Sequence, residues 1–481
     1  MQNKMIYDVH EFPKKKREAL ILSIQHILAM FVACVTVPLI VFGSYTTASG
    51  HSYLEYLLAP TLVSAGIGTI IYLILTKFKS PVFLASSFAY MPAMQTAILY
   101  GVTLVDGVPE ALNLWILPIG MAMVGLVYVV VALLVGKFGT AWLNKVLPPV
   151  VVGPVIMVIG LGLSGSAVSN LVSAPNGQYN LLAILCGLVA MVVTIVCAHY
   201  GKKTVALIPF LIGIAAGYLF AVILTLIGYT ACKNDYCNLV NFEPLINNFK
   251  NLTVESFLTY PRFLFLPEVD KIPLTWGTVG QAALLFIPVS LVTMCEHIGD
   301  HKNLSGILDR DLTQDPGLAR TLAGDGIATA VSGVLCGAAN TTYGENVAVV
   351  GVTKVASTKV ILLAAILTIL LGFFSPILAL VRTIPTSVIG GISLILYGYI
   401  ASSGIKTLIS EKVDMSQTKN IFVSSIILVA GIGGLTLTFV TKSSSISVTS
   451  IAVAMIFGIA LNLILKEKKV ENNNNSHDEV I

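Results

Sequence analysis

Three acidic side chains stand where acids are costly. Glu296, Asp300 and Glu345 fall inside or beside apolar runs of a chain in which only 11% of residues are charged. A carboxylate at bilayer depth costs roughly 2.5–3.5 kcal/mol on insertion scales. Such a residue is usually kept because a solute, an ion or a proton uses it. Glu296 and Asp300 are four residues apart and share one face of a helix. Glu345 follows Gly344 within the stretch NTTYGENVAVVGVTK that spans 340–354. Acids so placed can take up and release a proton, which a proton-coupled carrier needs. The competing explanation for each is a buried acid satisfied by neighbouring hydroxyls or amides. Asp325, in AGDG, reads more simply as a helix-start or packing acid.

His26 follows Gln25 on an otherwise apolar run, and both side chains need partners there. His26 can orient an acid or relay a proton; a satisfied structural histidine is the alternative. His297 adjoins Glu296, points to a different face and reads as structural. Gly344 and Glu345 sit where a half-helix would start and aim free backbone N–H groups at a cavity. Phe88 holds the matching place in the first half of the chain. A flat ring with alternating C=O and N–H groups suits such a site, since amides donate to its carbonyls and carboxylates accept from its N–H groups. Phe88, Tyr343 and Tyr397 can wall it with aromatic surface, although ordinary packing explains each of them singly.

The elements that must position these residues are membrane spans. The chain has 481 residues, 56% of them hydrophobic, and a mean hydropathy of +0.88. A soluble domain has to cover itself with polar surface and cannot have this composition. Apolar runs of about 17–25 residues are long enough to cross a bilayer. They fall near 20–43, 57–76, 82–100, 114–136, 147–165, 181–199, 204–228, 279–304, 319–337, 340–356, 359–380, 386–404, 420–439 and 446–465. The fold class is therefore an all-α polytopic membrane protein of about 14 spans. The third and tenth runs are interrupted by polar residues and Gly or Pro, and broken spans survive only where the irregular backbone is buried or lines a cavity.

Charge placement orients the chain. Lys14–Arg17, Lys77, Lys79, Lys137, Lys145, Lys202, Lys302, Arg310, Lys354, Lys406 and Lys466 fall on one set of loops. That side is cytoplasmic, so both termini are expected there. The net charge of +4 thus speaks of orientation in a plasma membrane and not of nucleic acid. The seven cysteines form no CxxC pair or Cys/His cluster, so no metal is expected. Cys232 and Cys237 share the long external loop, where a disulfide and two free thiols are both open readings. No phosphate loop or nucleophile elbow points to an enzyme.

The chain also echoes itself. Pro148–Gly153 is echoed by Pro385–Gly390, Gln25-His26-Ile27 by Glu296-His297-Ile298, and Ser86-Ser87-Phe88 by Thr342-Tyr343-Gly344. The echoes keep the same order, one set per half. Seven spans per half is an odd number, so the second half enters the membrane from the opposite side. Such an inverted repeat places its binding site near the midplane, between broken helices.

The run Glu345-Asn346-Val347-Ala348-Val349-Val350-Gly351-Val352-Thr353-Lys354 resembles the signature of the nucleobase–ascorbate transporter (nucleobase:cation symporter-2) family. The preceding NTTYG, EHIGDH at 296–301, SSF at 86–88, DPGL at 315–318 and QH at 25–26 match the uracil-carrying branch of that family. The resemblance covers nearly the whole chain apart from the tails and the long external loop.

The resemblance implies two inverted repeats of seven spans, with short strands in spans three and ten. It implies a cytoplasmic tail at 1–19, a core domain at 20–136 and 279–380, and a gate domain at 137–228 and 381–466. An external loop at 229–278 and a disordered cytoplasmic tail at 467–481 complete the expected plan. Glu296 and Glu345 would hold uracil or a related pyrimidine, with help from Ser87 and the backbone at Phe88 and Gly344. Tyr343 and Tyr397 would line the pocket. Proton coupling would fall to Glu345, Asp300, Glu296 and His26, with no cofactor beyond the proton, and the carrier would be a homodimer in the bacterial plasma membrane. Glu345 stands where purine carriers often have Gln, which favours a pyrimidine. Ala348 departs from the usual Gly, and Asp300 stands where some relatives carry a proton-linked His. A purine or xanthine carrier on the same scaffold is the alternative, ahead of a channel or an anion carrier.

Overall fold

In lipid, a backbone has only itself to hydrogen-bond, so the apolar runs of this chain form helices. The computed structural model describes residues 5–465 except 44, 46–51, 106–107, 110, 203, 233–234, 262–271, 273 and 441–444. The tail expected at 467–481 and the sulfur of Cys232 lie outside the described residues.

The first half runs α1 (Lys16–Phe42), α2 (Leu54–Leu75), β1 (Leu84–Ser86), a 3-10 turn (Phe88–Tyr90), α3 (Met91–Ala97), the short strands β2 (Leu104–Val105) and β3 (Val108–Pro109), and α4 (Ile116–Phe138). It continues with α5 (Ala141–Val146), α6 (Pro149–Gly162), α7 (Ser164–Val172), α8 (Leu181–Tyr200), α9 (Thr204–Leu207) and α10 (Pro209–Ile227). The long loop that follows contains α11 (Glu243–Phe249). The second half runs α12 (Trp276–Leu308), α13 (Leu318–Val334), β4 (Asn340–Thr342), α14 (Gly344–Thr353), α15 (Thr358–Gly372) and α16 (Ser375–Arg382). It closes with α17 (Thr386–Ser410), α18 (Thr418–Ile432), the hairpin β5 (Leu437–Val440) and β6 (Ser445–Val448), and α19 (Ser450–Ile464).

Among the described residues, eight helical segments are long and apolar enough to cross a membrane, including α1, α4, α8, α12 and α17. Helices α15, α18 and α19 are apolar but shorter. The run read at 147–165 extends through α6 and α7 to Val172. The run read at 420–439 leaves the helix after Ile432 and becomes β5, where β-branched and aromatic residues favour a strand. Gln281 on α12 fastens the hairpin: its side chain donates to the Ser447 carbonyl and accepts from the Ser447 amide, both at 2.9 Å.

The two interrupted runs are short strands followed by short helices, and the strands pair with each other. β1 and β4 are antiparallel, with Leu84 opposite Thr342, Ala85 opposite Thr341 and Ser86 opposite Asn340. A two-fold axis through the Ala85–Thr341 pair exchanges the strands, and so equates Ser86 with Thr342, Ser87 with Tyr343 and Phe88 with Gly344. The flanking hydrogen bonds obey the same symmetry: Ser87 N–H donates to the Ala339 carbonyl (2.8 Å) and Tyr343 N–H to the Phe83 carbonyl (3.2 Å). Threonines from the preceding helices hold the equivalent strand ends. Thr69 Oγ1 on α2 accepts from the Leu84 amide at 3.0 Å, and Thr329 Oγ1 on α13 donates to the Asn340 carbonyl at 2.8 Å.

Packing divides the helices. α2 lies along α13 and α15, and α4 along α13 and α12. α17 lies along α6, α7 and α8, and α18 along α6 and α19. Both sets approach through glycines, which let backbones come close: a Cβ on Gly66 of α2 would stand 2.5 Å from the Ala365 carbonyl oxygen of α15. A Cβ on Gly391 would stand 2.1 Å from the Gly187 carbonyl oxygen, and one on Gly160 would stand 2.5 Å from that of Tyr397.

The segment before α1 is docked. Ile6 N–H donates to the Lys354 carbonyl (2.8 Å), Ala356 N–H to the Tyr7 carbonyl (2.8 Å) and Thr358 N–H to the Val9 carbonyl (3.0 Å). Val9 is buried among Leu304, Leu308, Val347 and Val350, and Asp8 pairs with Arg310. The segment thereby ties the ends of α12 and α14 to the start of α15.

The glycine crossings make a direct prediction. Gly391→Ala forces α17 and α8 apart against rigid backbone, at a cost of about 1–3 kcal/mol. Its melting temperature in detergent should fall by several degrees. Gly162→Ala, whose Cβ meets nothing within 4 Å, should leave it unchanged.

Candidate functional site

The acids expected at the site come from two elements. Glu296 and Asp300 project from the middle of α12, and Glu345 from the first turn of α14. α12 shows two faces. Thr293, His297 and His301 are buried, whereas Glu296, Gly299, Asn303 and Gly306 are exposed. A Cβ added at Gly299 or Gly306 would meet nothing within 4 Å, so open space runs along this face. On α14, Glu345 is half-buried and Ala348 and Val352 are exposed. Glu296 and Glu345 lie within electrostatic reach of each other, with Asp325 also in range.

The half-helix α14 starts because Tyr343 is extended (φ −110°, ψ 105°) and Gly344 takes the first helical position. The equivalent residues behave alike: Ser87 is extended (φ −82°, ψ 124°) and Phe88 begins the 3-10 turn. Both short helices thus begin beside the strand pair. A helix N-terminus has unpaired N–H groups and roughly half a positive charge. Among the described residues the Gly344 amide has no hydrogen-bond partner, and the Glu345 amide turns to its own carboxylate. Over this end stands Asp300. Its Oδ1 lies 3.4 Å from where a Gly344 Cβ would be.

A buried polar network lies behind the acids. His297 Nδ1 is 2.8 Å from Asp325 Oδ2 and 2.7 Å from Thr342 Oγ1, which joins α12, α13 and β4. Asp325 therefore sits mid-helix in a buried pair and does not start its helix. The rings of His297 and His301 stack with centroids 4.1 Å apart. The Tyr72 hydroxyl reaches His301 Nε2 at 2.6 Å and Ser80 Oγ at 2.8 Å. One turn before Glu296, the Thr293 hydroxyl meets Tyr128 (2.8 Å) and Tyr90 (3.0 Å). These contacts fix the rotation of α12, and so the direction of its acids.

His26 is buried and meets no acid among the described residues. Its ring Nδ1 lies 3.2 Å from Asn346 Nδ2, and its carbonyl accepts from the same nitrogen at 3.1 Å. It thus holds α14 one residue beyond Glu345. Tyr343 is buried and Phe88 half-buried; Phe88 packs between two apolar clusters. Ser87 is buried, and its hydroxyl has no partner among the described residues. Tyr397 is buried on α17 beside Ser393 and Ser166. No hydrogen bond among the described residues joins it to Glu296 or Glu345.

Sequence reasoning missed the pairing of Asp325 with His297 and the hold of His26 on Asn346. Two buried polar residues in separate helices carry no mark of their partner. It also missed Lys406 on α17, which lies within electrostatic reach of Asp300.

Comparison with known proteins adds a family. The profile of the permease family of xanthine and uracil carriers matches residues 17–440. A uracil permease of Bacillus caldolyticus is 39% identical over 482 aligned residues, covering 99% of each chain. The uracil permease of Bacillus subtilis is 39% identical over 95% of each chain. That of Escherichia coli K12 is 32% identical over 92% of this chain and 90% of its own. Among solved structures, the transmembrane domain of the cyanobacterial bicarbonate transporter BicA superposes with a TM-score of 0.58 at 13% identity, covering 93% of this chain and 98% of its own. Murine Slc26a9, an anion transporter in the inward-facing state, gives 0.59 at 10% identity, covering 95% of this chain and 69% of its own. At these identities the two structures speak for the fold alone.

The network can be tested without any solute. Thr342→Val strips a hydroxyl from the buried His297–Asp325 pair, a loss of about 1–3 kcal/mol. The melting temperature in detergent should drop. Thr341→Val should be neutral, because the buried Thr341 hydroxyl has no partner among the described residues. An equal response from both variants would deny the network its role.

Proposed function

This chain belongs to the permease family, the nucleobase–ascorbate transporters, and from that premise we propose that it imports uracil together with a proton across the bacterial plasma membrane. It is an integral membrane transporter and not an enzyme. The single observation that carries the uracil reading is the placement of Glu296 and Glu345 within electrostatic reach of each other at the start of the half-helix α14. A planar ring with adjacent carbonyl and N–H groups matches that arrangement. The carboxylates accept from the ring N–H groups, and the amides at Gly344 and Phe88 face the carbonyls. The names of the relatives support the same solute.

In this reading α1–α4 and α12–α15 move as a core against a gate of α6–α10 and α17–α19, exposing the site to each side in turn. The packing of α2, α4, α13 and α15 on one another, and of α6, α7, α8 and α17 on one another, supports the division. Protonation of the site acids removes charge that would otherwise have to be enclosed with the solute. The gate helices are the surface through which two copies would pair.

Uptake of labelled uracil into cells or vesicles should collapse when a protonophore discharges the proton gradient. Uptake indifferent to the gradient rejects the coupling. Glu345→Gln should lower uptake on the order of tenfold or more, because a lost hydrogen bond to a charged group costs about 1.5–3 kcal/mol. Competition by xanthine as strong as by unlabelled uracil would move the reading to a purine carrier.

A further inference from the structure

The hairpin β5–β6 has one edge closed and one edge open. Ser447 on β6 gives both its backbone groups to the side chain of Gln281 on α12, carbonyl and amide each at 2.9 Å. Opposite residues of an antiparallel pair bond each other through both N–H and C=O, or through neither. The groups of Ser447 are turned to Gln281, so Thr438, its partner on β5, bonds β6 through neither. The hydroxyls of Thr438 and Ser447 lie 3.0 Å apart, which fits the close side-chain approach of such a pair. By alternation Val440, opposite Ser445, forms a pair of the same kind. The amides and carbonyls of Thr438 and Val440 therefore point away from the hairpin. They meet no other backbone group among the described residues. β6 lies along α12, whereas β5 lies along no described element besides β6.

The open edge is at membrane depth. α18 and α19 have 15 residues each. That is about 22 Å of helix, against about 30 Å of hydrocarbon. The hairpin completes the crossing. α12 fixes its level: exposed Trp276 opens the helix, as tryptophans do at the lipid–water boundary. Gln281 follows five residues later, about 7.5 Å further in. Lipid offers an open strand edge no hydrogen bonds, so such an edge does not face hydrocarbon unpaired. Lysine and proline commonly blunt an exposed edge. Residues 437–440 read Leu-Thr-Phe-Val, with neither, and all four are exposed.

We propose that β5 pairs with β5 of a second copy of this chain, antiparallel across a two-fold axis, and joins two hairpins into one four-stranded sheet within the membrane. This deepens the reading of the gate helices as the surface through which two copies pair, and rests on it. An antiparallel strand edge is its own complement under a two-fold axis, because each N–H then meets a carbonyl of the equivalent strand. The register that sets Thr438 opposite Val440 of the other copy satisfies the open groups of both residues. It also sets Phe439 opposite its own counterpart, in a pair without backbone bonds between them, where side chains come closest.

Cross-linking in the membrane tests the pairing. Phe439→Cys places two thiols on residues whose Cβ atoms are about 4.5–5.5 Å apart, within small adjustment of a disulfide. Mild oxidant should convert this variant to a species of twice the mass, well above the background set by the wild type. Thr438→Pro removes an outward N–H and leaves the bonds to β6 in place. Two hydrogen bonds per dimer are lost, so dimer affinity in lipid nanodiscs, read by mass photometry, should fall by about tenfold or more. A dimeric wild type whose Phe439→Cys variant does not cross-link overturns the strand pairing and keeps the gate reading. A wild type that is monomeric in lipid overturns both. Cross-linking to a different protein in place of a second copy overturns the choice of partner. If Thr438→Pro does not fold, the cross-link decides alone.

Discussion

Two spans of this chain are broken, and each supplies what the other lacks. A strand inside a membrane leaves a row of amides and carbonyls without water to bond. Leu84–Ser86 and Asn340–Thr342 solve this by pairing with each other across the middle of the bundle. The threonines Thr69 and Thr329 close the strand ends. Without that pairing, neither half-helix could begin where it does. The free amides at Gly344 and the start of the turn at Phe88 exist because the strands end there.

Once the helix end is exposed in the interior, the chemistry around it follows. Its positive end draws oxygen atoms, and three carboxylates gather near it: Glu345 from its own first turn, and Glu296 and Asp300 from α12. The direction of α12 is fixed on its other face, where His297, Asp325 and Thr342 bond in a buried cluster and Thr293 meets two tyrosines. These contacts hold the buried face, while His297 Nε2 and Asp325 Oδ1 have no partner among the described residues. The carboxylates of the open face have few protein partners among the described residues. One helix thus anchors the site and lines it.

Both helix sets are packed closely at glycines, and the site helices carry further ties. α17 meets α8 and α6 at glycines, backbone against backbone. α2 and α15 meet in the same way at Gly66, and α4 and α13 at Gly125; the site helices are joined in addition by specific hydrogen bonds and by the docked segment before α1, which binds the ends of α12, α14 and α15. Lys302 on α12 and Glu411 at the end of α17 meet at 3.3 Å, and both are exposed, so the contact is weak.

Much of this was written in the sequence, and the physical reason is the bilayer. Lipid tolerates no unpaired backbone and few charges, so apolar length located the helices, Gly, Pro and polar residues located the breaks at 82–100 and 340–356, and stranded acids marked the candidate site. The match of Ser86-Ser87-Phe88 with Thr342-Tyr343-Gly344 was legible too, because both halves need the same strand-to-helix turn. Other features depend on which surfaces meet. The chain alone did not show that His26 holds Asn346, that Asp325 pairs with His297, that residues 437–448 form a hairpin on α12, or that Asp300 stands over Gly344. Each is a contact between residues far apart in sequence, set by the rotation of one helix against another. A linear pattern specifies which face of a helix is polar, whereas only the packed structure decides what that face touches.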